Sequence, residues 1–417
     1  MLLARAFSFS IWLVRKVFLV SLLLLVVSRP ILAETLDQQI QFWQKRIARD
    51  SEDFISPTKL GELYLQKGHE TGELSANADA EKNLRLALKR NPDYHPAIVQ
   101  LASACIAQHK FSEALSLAEK AVKLKPTDVF SFAVLGDACL ELGKIDRAEP
   151  AYKKALELKP SLATHSGMAN LHWIKGNIPN ALQDYEKAIE SGKNDSSSSE
   201  NVAWCHLQKG EVHFRTGDFS KAESEFLAAS KIFPDNYSVL EHLAELRAAQ
   251  TKFDESILLY EKVIAQTSRP EFSHALGDVF QATGKSGEAK NWHDKALAGY
   301  LKSARDGDAH YFHHLAGFYS DTQTNAVEAL KWARKDFEIR QNVYACDTLA
   351  WALHRNDKND EALDATKKAL AFGTKDAHVL FHAGSIYLKL GKKPEATACV
   401  RQAIAANPRY NSFHAHR

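Results

Sequence analysis

A pair of alanines separated by seven residues recurs about every 34 residues along most of this chain of 417 residues. The pairs are Ala80/Ala87, Ala114/Ala121, Ala148/Ala155, Ala181/Ala188, Ala222/Ala229, Ala289/Ala296, Ala362/Ala369 and Ala396/Ala403. Self-similarity at a fixed period of roughly 20 to 50 residues is typical of solenoids, in which each unit contacts mainly its neighbours. The period therefore predicts one body of stacked units, although a chain of this length would otherwise suggest two or three domains.

One unit shows what each repeat is made of. Ile98 and Cys105 lie at helical spacing, a polar stretch follows, and a second apolar stripe runs through Ala114 and Ala121 before Pro126 ends the helix. Neither helix can bury its apolar face alone, and small alanines allow neighbouring backbones to approach closely. Each unit is therefore predicted to be a helix hairpin that packs on the next.

The pattern resembles the tetratricopeptide repeat, which has a Leu-Gly or Leu-Ala pair in its first helix and a proline at its end. The matching positions are Leu135-Gly136, Leu276-Gly277 and Leu349-Ala350 for the pair, and Pro92, Pro126, Pro160, Pro234 and Pro408 for the proline. The resemblance implies an all-α, right-handed superhelical solenoid of about ten helix-turn-helix repeats over residues 57–411, followed by a tail at 412–417.

Irregular spacing predicts two loop insertions, near residues 191–201 and 297–308. The first contains a run of four serines from Ser196 to Ser199, a composition typical of loops. Two units depart from the alanine pair but keep the spacing, with Ser256/Val263 and Ala329/Asp336 in its place.

Residues 1–33 differ from the rest of the chain. Arg15 and Lys16 precede an uncharged run at residues 17–28, and Ala33 offers a small residue for cleavage. This pattern predicts a secretory signal peptide and export to the periplasm or the outside of the cell. The alternative is an uncleaved signal anchor, which would be the only contact with a membrane. Residues 34–56 are predicted to form a capping helix, started by Thr35 and Gln38 as a capping box.

Composition argues against several classes of function. Without the basic residues of the signal segment, Arg5, Arg15, Lys16 and Arg29, the formal charge falls from +2 to −2, so no basic bias suggests nucleic acid. The five cysteines are predicted to be buried free thiols. No nucleophile, phosphate-binding or HExxH motif is found, so the chain is predicted to be a non-enzyme without a cofactor.

The resemblance places the first helix of each repeat on a concave groove, where it implies a binding surface. The residues assigned to this groove are His274, Asp278, His310, His313, Asp347, Trp351, His354, His378 and Phe381. The predicted function is an exported scaffold that binds a protein or peptide partner there; the oligomeric state stays open.

The C-terminal histidines suggest an alternative, a metal-binding or metal-handling envelope protein. His310, His313 and His314 stand at i, i+3 and i+4, and His378 and His382 at i and i+4. Such spacings place imidazoles on one helical face, where they can ligate a transition metal or fill a polar groove.

Overall fold

The computed structural model describes residues 35–194 and 199–409, and this part of the chain contains 21 α-helices and no strand. The helices are α1 (Leu36–Ile47), α2 (Ile55–Thr71), α3 (Leu74–Arg90), α4 (His95–Ala107), α5 (Phe111–Leu124), α6 (Val129–Glu141), α7 (Ile145–Leu158), α8 (Leu162–Ile174), α9 (Ile178–Asn194), α10 (Ser199–Arg215), α11 (Phe219–Ile232), α12 (Tyr237–Ala249), α13 (Phe253–Gln266), α14 (Pro270–Ala282), α15 (Ser286–Arg305), α16 (Phe312–Gly317), α17 (Ala326–Ile339), α18 (Val343–Arg355), α19 (Asn359–Ala371), α20 (Ala377–Lys389) and α21 (Lys393–Ala406). A π-helical turn, Phe318–Thr322, continues α16. The predicted signal segment and the 412–417 tail lie outside the described residues.

After α1, the helices pair in order into ten hairpins, from α2–α3 to α20–α21. This arrangement confirms the predicted all-α solenoid of about ten repeats. Helix α1 begins with the predicted capping box, in which Thr35 and Gln38 bond each other's backbone N–H groups. Its Ile40 is buried, and Gln44 Nε2 donates a hydrogen bond to Tyr64 on α2 at 3.0 Å. The helix thus covers the outer face of the first hairpin.

The alanine pairs lie where helices meet. Every alanine of these pairs is buried, as are Ser256, Val263, Ala329 and Asp336 in the two variant units. The five cysteines are buried as well, as predicted.

Glycines on the first helices make room for large side chains from the second. Tyr152 on α7 is fully buried, and its hydroxyl donates a hydrogen bond to Asp137 at 2.6 Å. A Cβ atom at Gly136 would lie 2.5 Å from this ring, and one at Gly167 would lie 2.6 Å from it. The glycine of the Leu-Gly pair is therefore required by close packing between helices.

The described residues of the two predicted loop insertions are largely helical. The described parts of segment 191–201 extend α9 to Asn194 and begin α10 at Ser199. Gly192 supports this extension, because a Cβ there would lie 2.5 Å from Leu162 and 2.8 Å from Val202. Most of segment 297–308 likewise lengthens α15, which runs to Arg305 and buries Tyr300. Apolar packing thus explains why the described residues on either side of 195–198, and most of segment 297–308, are helical.

Hairpins from the second half of the solenoid stack on hairpins from the first half, which the repeat pattern does not predict. We name hairpins α2–α11 the first coil and hairpins α12–α21 the second coil. The turns within first-coil hairpins contact the loops that precede first helices of the second coil. Asn236 Nδ2 donates to the Glu70 carbonyl at 3.2 Å, and the backbone N–H of Gln341 donates to the Glu141 carbonyl at 3.1 Å. Hairpins five or six units apart therefore stack along the superhelix.

Three side-chain contacts strengthen the junction between the coils. Asn342 Nδ2 donates to Glu141 at 2.8 Å, and Trp173 Nε1 donates to the Tyr344 hydroxyl at 2.8 Å. Arg215 pairs with Asp376 at 3.0 Å. Trp173 is consequently buried under the second coil.

Candidate functional site

A cavity of about 460 Å³ lies on the concave side of the second coil. Most of its wall comes from the first helices α14, α16, α18 and α20, which successive hairpins bring side by side. The junction between the coils adds His109 and Arg215 from the first coil. The cavity keeps contact with solvent, since the His313 side chain is 32% exposed. Its volume is in the range of small-molecule and peptide side-chain sites.

The structure brings most of the predicted groove residues together at this cavity. Those in its wall are His274, His310, His313, Asp347, Trp351 and His378, accompanied by His314 and His382. The remaining three lie outside the lining. Asp278 contacts His293 at 2.9 Å, the His354 ring lies 5.2 Å from the Trp351 ring, and Phe381 is exposed.

Three arginines of the wall have acidic partners. Arg215 pairs with Glu211 at 2.5 Å and also with Asp376. Burial alone would lower the pKa of Arg215, but the Glu211 carboxylate raises it well above its ordinary value. The same competition raises the pKa of Arg269, which pairs with Glu271 at 2.5 Å. The cationic charge of these arginines is thus compensated within the wall.

The third arginine, Arg340, has as its acidic partner a residue that departs from the repeat pattern. Asp336 on α17 replaces the second alanine of its pair, is 1% exposed, and accepts a hydrogen bond from Arg340 Nε at 2.9 Å. His313 Nδ1 lies 3.8 Å from the same carboxylate. Burial alone would raise the pKa of Asp336, but His313 and Arg340 lower it below its ordinary value. A buried aspartate therefore holds Arg340 in place and lies close to His313.

Two histidines from different coils meet at the edge of the cavity. The rings of His109 and His310 lie 4.7 Å apart. Burial lowers the pKa of both, and in His109 the neighbouring His310 lowers it further. Both imidazoles are therefore neutral at pH 7, where they can donate or accept hydrogen bonds.

Trp351 and His382 form the aromatic part of the wall. Their rings stack with an interplanar angle of 8° and a centroid distance of 4.1 Å. His382 Nδ1 contacts Asp347 Oδ2 at 2.9 Å, and Trp351 Nε1 donates to Asp321 at 3.2 Å. The His378 ring lies 4.1 Å from that of His382.

The predicted histidine triad for a metal is not assembled. Helix α16 begins at Phe312, so His310 precedes it and does not share a helical face with His313 and His314. Within the described ranges, two other groups have potential ligand atoms that all lie within 4.8 Å of one another. They are Asp347 with His378 and His382, and His274 with Asp278 and His293.

Reasoning from the sequence missed several cavity residues. His109, Arg215 and Tyr344 contribute because the coils stack, and no local pattern marks them. The role of Asp336 beside the cavity could have been predicted, because a charged residue at a buried alanine position needs a partner.

Tetratricopeptide repeats are found in both coils. Models of this repeat match residues 160–235, residues 207–270, and the segments 131–162 and 377–410. The human tetratricopeptide repeat protein 6 is 24% identical over 180 residues, which make up 43% of this chain and 32% of that protein. The match thus spans about a third of that relative's length.

Solved structures show weaker similarity. Yeast Tom70 is 16% identical with a TM-score of 0.38 and 88% of both chains covered. PilW, a type IV pilus biogenesis factor, is 16% identical with a TM-score of 0.42, over 50% of this chain and 94% of PilW. The human IFIT1 dimer with PPP-AAAA is 14% identical with a TM-score of 0.42, over 90% of this chain and 95% of that chain. The repeat assignment therefore rests on the repeat models and the hairpins themselves. In residues 35–194 and 199–409, no helix combines the length and apolar character needed to cross a bilayer.

Proposed function

We propose that this chain of tetratricopeptide repeats is a binding scaffold that holds a short segment of a partner protein in the cavity of the second coil. Such repeats generally mediate interactions between proteins. The observation that supports this site is the convergence of four first helices on one cavity of about 460 Å³. An extended peptide can place one or two side chains in such a volume while its backbone follows the concave surface.

The wall indicates the chemistry of that segment. Trp351 offers aromatic surface, and aromatic anchors usually provide much of the energy of an interface. The neutral imidazoles of His109 and His310 can bond peptide N–H and C=O groups. Because the arginines already have carboxylate partners, an acidic tail would gain little from them. We therefore propose a segment of low net charge with an apolar or aromatic side chain as its anchor.

We further propose binding without catalysis, and export of the protein through residues 1–33. The proposal of binding is supported by the cavity, and that of export by the basic start, the uncharged run and Ala33 in the sequence. The partner would then belong to the cell envelope or the surroundings of the cell.

Affinity capture with a matched pair of tryptophan variants tests the cavity. Trp351→Ala removes the aromatic wall, whereas Trp204→Ala removes a tryptophan that is 42% exposed on α10 and does not line the cavity. We expect Trp351→Ala to weaken binding of the captured partner by about 1 to 4 kcal/mol, and Trp204→Ala to change it little.

Stability must be measured on the same variants, because Trp351 also stacks on His382. His313→Ala provides a second test, since this partly exposed side chain lines the cavity. Reduced binding by Trp351→Ala or His313→Ala, with an unchanged melting curve, would support the site. A partner retained in full by both variants would refute it.

A further inference from the structure

We propose that Asp347, His378 and His382 form a site for one divalent transition-metal ion in the wall of the cavity. This proposal is independent of the partner segment, because it concerns groups that the protein supplies alone. The ion would be bound by two imidazole nitrogens and one carboxylate oxygen. Such a set is typical of zinc, cobalt, nickel and iron(II) rather than of magnesium or calcium, which prefer oxygen ligands.

The helices supply the three groups at suitable positions. His378 and His382 are one turn apart on α20, and Asp347 lies on α18, the first helix of the preceding hairpin. Their potential ligand atoms all lie within 4.8 Å of one another. Metal–ligand bonds of about 2.0 to 2.2 Å place ligand atoms roughly 3 to 3.5 Å apart, so binding needs only a small inward rotation of the side chains.

The side chains are held in place before any ion binds. Stacking on Trp351 fixes the plane of the His382 ring. Asp347 Oδ2 lies 2.9 Å from His382 Nδ1, and coordination of both groups to one ion would replace this contact. Asp376 caps the first turn of α20 by accepting hydrogen bonds from the backbone N–H groups of His378 and Val379. Such supporting contacts fix ligand orientation and increase metal affinity.

Burial and access favour a site with an exchangeable position. Asp347 and His382 are 7% and 6% exposed, yet all three groups line the cavity. Three protein ligands leave at least one coordination position open, and a group in the cavity could fill it because all three ligands line the wall. The positive end of the α20 dipole opposes a cation near His378, but this is weak beside three direct coordination bonds.

The second group, His274, Asp278 and His293, is the weaker candidate. His274 Nε2 contacts the Thr322 hydroxyl at 2.9 Å, an oxygen outside the candidate ligand set. Of these three residues only His274 lines the cavity. The two groups predict different effects of mutation, so one experiment distinguishes them.

The test uses the full mature chain without a histidine tag, cleared of metal with a chelator and titrated with Co²⁺ and then Zn²⁺. The visible absorption of Co²⁺ reports its coordination, and calorimetry gives the number of ions per chain. We expect one ion per chain, and a rise in melting temperature with Zn²⁺ because the ion binds only the folded form.

The variants His378→Gln, His382→Ala and Asp347→Asn should each lower affinity by at least ~100-fold, since loss of a supporting contact alone reduces affinity 10- to 100-fold. The control His293→Ala should bind as tightly as the wild type, and its melting curve checks folding. The proposal is overturned if the wild-type chain binds no ion at micromolar concentrations, or if His293→Ala loses binding while the other three variants keep it. Since no partner is present, the result is separate from the test of peptide binding.

Discussion

Gly143→Ala should weaken the stacking of the two coils. Gly143 lies in the turn between α6 and α7 with φ at 70°, in the left-handed region that favours glycine. A Cβ atom there would collide with the carbonyl oxygen of Gln341 and lie 3.0 Å from its carbonyl carbon. These are backbone atoms of the second coil, so a simple rotation of a side chain cannot relieve the contact.

Two effects add in this variant. The left-handed conformation costs about 1 to 2 kcal/mol for a residue with a side chain. Overpacking against backbone costs about 1 to 3 kcal/mol more, so the free energy of unfolding should fall by roughly 2 to 5 kcal/mol. Only the overpacking energy depends on the contact between the two coils.

Gly391→Ala is the matched control. Gly391 has φ at 72° in the turn before α21, and a Cβ atom there would meet nothing within 4 Å. Urea denaturation followed by circular dichroism should show Gly143→Ala to be less stable than Gly391→Ala by about 1 to 3 kcal/mol. Solution X-ray scattering should show a larger radius of gyration for Gly143→Ala. Equal stability of the two variants, within about 0.5 kcal/mol, would show that the coils do not stack as described.

Three further predictions follow from burial, charge and the N-terminal sequence. Ala148→Arg should destabilise the protein by a few kcal/mol because Ala148 is fully buried, whereas Lys367→Glu on an exposed surface should change the melting temperature little. The pKa of His109 and His310 is lowered, so near pH 6.5 these two sites bind fewer protons in the folded protein than in the unfolded chain, and their contribution to stability should fall as pH falls from 7.5 to 5.5. His109→Gln should reduce that loss, and an unchanged pH dependence would contradict the assignment. Mass spectrometry of protein from its native host should find Glu34 at the amino terminus, and an intact Met1 in a membrane fraction would favour an anchor.

Features set by neighbours in the chain were predictable from the sequence. The alanines at positions such as 114 and 148 identify hairpin packing, because their contacts come from the same or the next unit. The turn glycine Gly143 has a φ of 70°, a backbone conformation that glycine adopts readily, so its place in the turn has a local reason. Its second role, close contact with Gln341, depends on residues about 200 positions away.

Features set by the superhelix were not predictable in this way. Small rotations between repeats accumulate until Trp173 contacts Tyr344. No sequence motif within a repeat specifies this accumulated rotation. For the same reason the residues assigned to the groove from the sequence include Asp347 and His378, which line the cavity, but not Arg215, which lines it too. A single repeat specifies which of its residues face inward, whereas the number of repeats per turn decides what they face.

The stability of the variant Asp336→Ala tests whether the departure from the repeat at this position supports the candidate site. Consensus reasoning predicts that Asp336→Ala restores the alanine pair and stabilises the protein. The structure predicts the reverse, because Arg340 and His313 would lose their buried partner. Loss of one member of a buried ion pair costs about 3 to 5 kcal/mol, and we expect roughly 2 to 4 kcal/mol, since Glu141 lies 4.0 Å from Arg340 as a partial replacement. Ser256→Ala, in the other variant unit, removes one neutral hydrogen bond to the Ala244 carbonyl and should cost about 1 kcal/mol. If denaturation shows Asp336→Ala to be as stable as Ser256→Ala, the aspartate is only a tolerated deviation and the cavity does not depend on it.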